Sequence, residues 1–296
     1  MSSQIISMQN WLKTPPGEYL LAWECAQFDA VVADIFGYHA LQLGLAPLPA
    51  LQTNRMPHRW LAVPTAGNSL DSVTSAISDA SKQAIQPVAD LVTDFAALPF
   101  FENSLDLLVL PHSLELSPDP HATLREAQRV LVPDGKLVVC GFNPMSLWGL
   151  KQARGHLYHR LSRIVSGEAG TAVPSQTSAP GGLSELFLPE AGEFLGYRRM
   201  KDWLRLLNFE IESDQFGCYR PAVRSDKWLQ RFAWMDKAGA RYWPILGAVY
   251  MVVAVKRVHG LRLLSPNWKG ARVKVVAPVS VANKSHSMPA KDEFKV

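Results

Sequence analysis

Pro111-His112-Ser113-Leu114-Glu115 brings an imidazole, a hydroxyl and a carboxylate together within five residues. A histidine near its ordinary pKa can pass protons at neutral pH, so His112 is a candidate general acid or base. The competing reading is a histidine that only satisfies local hydrogen bonds. Glu115 is expected to cap or brace the loop that follows rather than take a proton. Asn143-Pro144 is the second candidate: the Asn143 amide can face a substrate, or it can form a turn before a fixed proline. Asp94 follows an apolar run and can cap nearby N–H groups. His156 and His159 stand three apart, one helical turn, but no Cys or acid accompanies them at ligand spacing, and a solvated basic face is expected. Cys25, Cys140 and Cys218 are odd in number and far apart. They fit reduced core thiols rather than a disulfide frame or a zinc site, so no metal is expected.

These side chains hang on elements that the hydrophobic pattern predicts. Residues 88–144 read as strand, loop, strand, loop, helix, turn, strand. Residues 105–110 are apolar apart from Asp106, and 136–140 (KLVVC) form a second such run; both look like strands covered on two faces. Between them Leu124, Ala127 and Leu131 recur at helical spacing, with Asp119 or Ser117 as cap and Pro133-Asp134-Gly135 as stop. Two parallel strands joined by a helix form a right-handed unit whose strand C-ends are where open α/β sheets bind ligands.

Upstream, Leu21, Cys25, Phe28, Val32 and Ile35 form one stripe on a helix within residues 11–37, read mainly as a packing helix. A first strand is expected near residue 40, a second over 59–63 and a third over 88–92. Residues 69–86 are Ser/Ala-rich and weakly patterned. Downstream, 151–195 interrupts the alternation with a basic helix-like start and a Gly/Ser/Thr/Ala/Pro-rich remainder. A helix at 200–207, a strand at 209–213 continued at 216–221, a short helix at 228–234 with its Trp, Leu and Phe in the core, and a strand at 248–255 complete the reading.

The series Asp94, Leu98-Pro99-Phe100, Leu105-Asp106, Leu114-Glu115, Asp119-Pro120, Leu124-Arg125-Glu126, Arg129-Val130-Leu131 and Pro133-Asp134-Gly135 resembles the second half of a class I S-adenosylmethionine-dependent methyltransferase of the small-molecule group (type 11). The resemblance implies a Rossmann-like α/β fold: a seven-stranded, mostly parallel sheet with helices on both faces and the last strand antiparallel. It also implies S-adenosylmethionine as cofactor and a small molecule as methyl acceptor. On the family pattern Asp94 accepts from the adenine amine and the Phe95 backbone meets a ring nitrogen; Leu110, Pro111 and His112 are expected at the cofactor with Gln42 and Gly44, and His112 or Ser113, at a strand C-end, can line the methyl-donor site. The loop after the first strand is acid-x-Gly-x-Gly-x-Gly in the family; here Gln42 stands for the acid, Gly44 is kept, and Ala46 and Leu48 replace the other glycines. The ribose-binding acid expected after the second strand is missing, with Pro64-Thr65-Ala66-Gly67 in its place and Asp71 the nearest acid. Bonds to a charged acceptor contribute ~1.5–3 kcal/mol each, so cofactor binding must lean on other groups. These losses leave a second reading open, a non-catalytic binding or regulatory protein of the same fold. The 151–195 segment lies where such enzymes often build a substrate lid.

Composition is ordinary for a globular chain, 48% hydrophobic and 19% charged, with a formal charge of +4. The expected domain spans 1–265, with 266–296 a basic, solvated tail. From Lys256 onward nine Lys or Arg stand against Asp292 and Glu293, which keeps nucleic-acid contact as a third and weaker reading. The N-terminus lacks a basic start followed by an apolar block, and the longest apolar run, 245–255, falls short of the ~20 residues that cross a membrane. A cytoplasmic protein without membrane contact is expected; the oligomeric state is left open.

Overall fold

The structure, a computed structural model, describes residues 8–64, 89–165 (backbone alone over 158–165), 187–189 and 194–258. Asp71 and the tail from 266 lie outside these, as does the His159 side chain. The described elements are α1 Pro15–Val32, β1 His39–Leu43, β2 His58–Pro64, β3 Leu91–Thr93, β4 Leu105–Pro111, a one-turn α2 Ser113–Leu116, α3 Pro120–Val130, β5 Leu131–Phe142, α4 Leu147–Val165, α5 Tyr197–Leu206, β6 Phe209–Gly217, α6 Asp226–Arg231, α7 Trp234–Tyr242 and β7 Val249–Lys256. The strands form one sheet in the order β3-β2-β1-β4-β5-β7-β6, parallel from β3 to β5, with β7 antiparallel to both β5 and β6. The expected Rossmann-like architecture is present.

Alternation along the central strands divides the core into two layers. Leu107 and Val109 of β4, with Met251 and Val253 of β7, point to the side that carries Leu20, Phe28 and Val32 of α1. Leu105, Leu108 and Leu110, with Val252 and Ala254, point to the side of Leu124 and Ala127 in α3 and Met200 and Leu204 in α5. A strand buried on both faces must be apolar throughout, which is why 105–110 and 249–255 read as runs. Asp106, the one acid in the first run, acts locally. Its Oδ2 accepts from the Tyr38 and His39 N–H groups at 2.8 and 2.9 Å and so fixes the start of β1. Gly37 leaves room for it, since a Cβ there would lie 2.5 Å from the Asp106 carboxyl carbon.

The structure departs from the sequence pattern in four places. The α1 stripe is Leu20, Glu24, Phe28 and Val32, a face that holds an acid, and the helix stops at Val32 instead of running to Gly37. β3 begins at Leu91, later than expected. The strand split at 213 and 216 is one strand, β6, that absorbs the irregularity as a bulge between Ile211 and Ser213. Finally, 228–234 belongs to two helices, and Trp228 and Trp234 are 51% and 60% exposed instead of core; of α6, only Leu229 is buried. Among the described residues, no helix is long and apolar enough to cross a membrane.

Candidate functional site

In a parallel sheet the strand order turns back at one point, here between β1 and β4, and the loops leaving neighbouring strand C-ends diverge to open a crevice. Gly44, Phe95 and Ser113 meet at those ends. Gly44 has φ +85°, and a Cβ on it would come 3.0 Å from Ser113 Oγ and 3.6 Å from Phe95 Cζ. Ser113 Oγ donates back to the Leu43 carbonyl. The sequence residues Gly44, Asp94, Phe95, Leu110, Pro111 and His112 are therefore brought to the C-terminal edge of the sheet, at the ends of β1, β3 and β4.

Their side chains play different parts. Asp94 is exposed and its Oδ1 accepts from the Ala96 N–H at 3.0 Å, the turn-capping arrangement. Phe95 and Leu110 are fully buried. Gln42 is buried at the end of β1: its Nε2 donates to the carbonyls of Leu45 (3.1 Å) and Leu48 (2.7 Å), and its Oε1 accepts from the Ala50 N–H (3.0 Å). The loop it braces turns inward, with Leu45, Leu48 and Ala50 in the α1-side core. Beyond that one cap bond the Asp94 carboxylate is open to solvent. The β1 loop, by contrast, spends its polar side chain on itself.

His112 is the most constrained residue of the group. It has φ +53°, is 1% exposed, and both ring nitrogens are taken, Nδ1 by Glu115 Oε2 at 2.8 Å and Nε2 by Glu24 Oε1 at 2.6 Å. Burial works against its charge, but the two carboxylates outweigh burial and push its pKa up to about 10. It is thus a clamped imidazolium with neither nitrogen turned outward. Glu115 braces as expected, its Oε1 accepting from the Phe142 N–H. Asn143 takes the turn role: Nδ2 donates to the Ile245 and Gly247 carbonyls, Oδ1 accepts from Met145 N–H. His156 is exposed on α4. Within 151–195, Phe187 and Leu188 are buried, their N–H groups held by Gln152 Oε1, and Phe187 joins Trp11 and Trp148 in an aromatic group.

Sequence reasoning missed Glu24. Nothing in a helical stripe marks one polar residue as buried, and its partner His112 is 88 residues away. A cleft of about 400 Å³ lined by Trp23, Phe216, Tyr219 and Ile245 lies at β6, four strands from β1.

The methyltransferase-domain family profile matches residues 53–139, the span from just before β2 through most of β5. Over those residues the chain is similar to methyltransferase domains. Over 167 residues it is 32% identical to the uncharacterized protein YafS of Escherichia coli K12, covering 56% of this chain and 54% of that one. Over 95 residues it is 32% identical to the demethylmenaquinone methyltransferase of Chlamydia pneumoniae, covering 31% of this chain and 41% of that one. The chain thus spans about half or less of the length of these curated relatives. Among solved structures, an S-adenosylmethionine dependent methyltransferase from Mesorhizobium loti is 14% identical over 78% of this chain and 96% of its own, with a TM-score of 0.44. The fold is read from the strand order itself.

Proposed function

We propose that the domain transfers a methyl group from S-adenosylmethionine to a small molecule, in the cytoplasm. The observation that supports this best is the convergence of Gly44, Phe95 and Ser113 at the C-ends of β1, β3 and β4, on the switch point of the sheet. Asp94 would accept from the adenine amine through its exposed carboxylate, Phe95 would offer backbone to the ring, and Gly44 would lie under the methionine end. The cofactor, when bound, supplies a methyl already activated on sulfur. What remains for the chain is to position and to exclude water, and positioning alone can account for ~7–11 kcal/mol of a barrier. A general base is not required of His112, which agrees with its clamped geometry.

A second reading, a binding or regulatory protein that has given up the cofactor, is favoured by the closed Gln42 loop and its buried leucines. Isothermal titration with S-adenosylhomocysteine separates the two. Micromolar binding that Asp94→Ala weakens by about tenfold, one hydrogen bond's worth at ~1.4 kcal/mol per decade, is the outcome expected of the enzyme. Absence of heat at millimolar ligand would sink the enzyme and leave the binding protein.

A further inference from the structure

Behind the crevice, on the α1 side of the sheet, Glu24, His112 and Cys140 bring a carboxylate, an imidazole and a thiol together with their ligand atoms all within 4.8 Å of one another. They come from three elements: the middle of α1, the residue after β4, and β5. Each is at most 1% exposed. Cys140 Sγ lies 3.3 Å from Glu24 Oε1, the same oxygen that His112 Nε2 approaches at 2.6 Å. The other carboxylate oxygen, Glu24 Oε2, is buried and meets no partner among the described residues. An oxygen so placed costs ~1–3 kcal/mol, more when charged, so the cluster is incomplete as a set of hydrogen bonds.

We infer that Glu24, His112 and Cys140 form a binding site for a zinc-class divalent cation that ties α1 to the C-ends of β4 and β5. Mixed carboxylate, imidazole and thiolate donors suit zinc. The surrounding contacts are those a metal-bound histidine needs: His112 Nδ1 is held by Glu115, and Glu115 is held by the Phe142 N–H. Such a carboxylate fixes the ring so that Nε2 faces the cation. Glu24 Oε2 can complete the coordination by making the carboxylate bidentate.

The proton count closes. The metal-free cluster holds two protons that a cation can displace, one between His112 Nε2 and Glu24 Oε1 and one on the Cys140 thiol. When the cation enters, the proton between His112 Nε2 and Glu24 and the proton of the Cys140 thiol leave. Two protons are exchanged for one dication and the buried charge does not change, which avoids the solvation penalty that usually opposes putting a dication into a core.

The test uses the full chain. It is loaded with Zn²⁺ and freed of excess by gel filtration, and metal is counted by plasma mass spectrometry; a second sample is loaded with Co²⁺ and its absorption recorded. One zinc per chain is expected, together with a thiolate-to-cobalt charge-transfer band in the near ultraviolet. Cys140→Ser should lose the band and at least nine-tenths of the zinc, while Cys218→Ser, which changes the other buried thiol, should keep both. Wild-type protein holding less than a tenth of an equivalent, a cobalt complex without the thiolate band, or zinc retained by Cys140→Ser would each overturn the proposal. If Cys140→Ser does not fold, the wild-type stoichiometry and cobalt band decide alone.

Discussion

Gln42 takes the position that the resemblance assigns to an acid, and its bonds explain why an acid would not serve here. An amide donates and accepts at once; a carboxylate only accepts, and at this position one of its oxygens would face the carbonyls of Leu45 and Leu48. Gln42→Glu is therefore expected to cost about 3 kcal/mol at neutral pH, the scale of an unpaired buried charge. The sign with pH follows from linkage. In the folded state the glutamic acid keeps its proton to donate to Leu48, whereas unfolded it ionises near pH ~4.3, so folding raises the pKa of this acid. The penalty is small below that pH and grows as pH rises. Urea titrations of both proteins at pH about 5 and about 8 check this; an equal deficit at the two pH values would refute it. The sequence alone showed that the acid was missing. It did not show what the amide does instead, because the atoms it satisfies belong to a loop whose inward turn is a tertiary fact.

At the scale of elements, the LPF and REAQRV segments turn out to be one device. Glu126 on α3 accepts from the Leu98 N–H at 2.8 Å and from Arg129 Nε and Nη2, while Arg129 Nη2 also donates to the carbonyls of Leu98 and Phe100. One helix turn thus pins the loop between β3 and β4. The Arg129 bonds hold the Glu126 carboxyl below its usual range, with the Leu98 N–H adding to the effect. Both side chains are partly exposed, so Glu126→Gln should cost only about 1 kcal/mol at pH 7. Because the folded pKa is lowered, that stabilisation is full above the unfolded value of about 4.3 and fades as pH falls through the folded one. Denaturation midpoints across pH about 3 to 7 measure it, and a difference that widened toward acid would count against the clamp. The motif spacing was legible in the sequence because these residues are local to two neighbouring elements. The Glu24, His112 and Cys140 cluster was not, since its members are 88 and 116 residues apart. The stripe read on α1 shares Phe28 and Val32 with its buried face but puts Leu21 and Cys25 where Leu20 and Glu24 stand, for the same reason: Glu24, an acid that a helical stripe assigns to solvent, belongs to the core side.

For the whole molecule, stability should follow the depth of each strand in the sheet. β4, β5 and β7 are buried on both faces and paired on both sides, while β3 has three residues and one partner. Amide exchange should be slowest in β4 and β7 and fastest in β3, by several decades if the central strands open only with global unfolding. Comparable rates in β3 and β4 would mean that the sheet opens as a unit. The strands and helices were readable from the alternation of runs, and the antiparallel last strand from the family resemblance, whereas the surface position of Trp228 and Trp234 was not: large apolar side chains are only usually inside.

The antiparallel insertion of β7 has a consequence for how the chain comes off the ribosome. β5 and β6 do not touch each other; each finds its outer partner only in residues 249–256. Until that segment has emerged, a nascent chain already holding β3 to β5 presents the long apolar edge of β5 unpaired, and β6 waits with no neighbour. That edge is a template for other chains. Chains arrested before Val249 should accordingly aggregate or recruit holdase chaperones, and release should come within a few residues of Lys256, where β7 closes the gap and its Nζ reaches back to the Leu131 carbonyl.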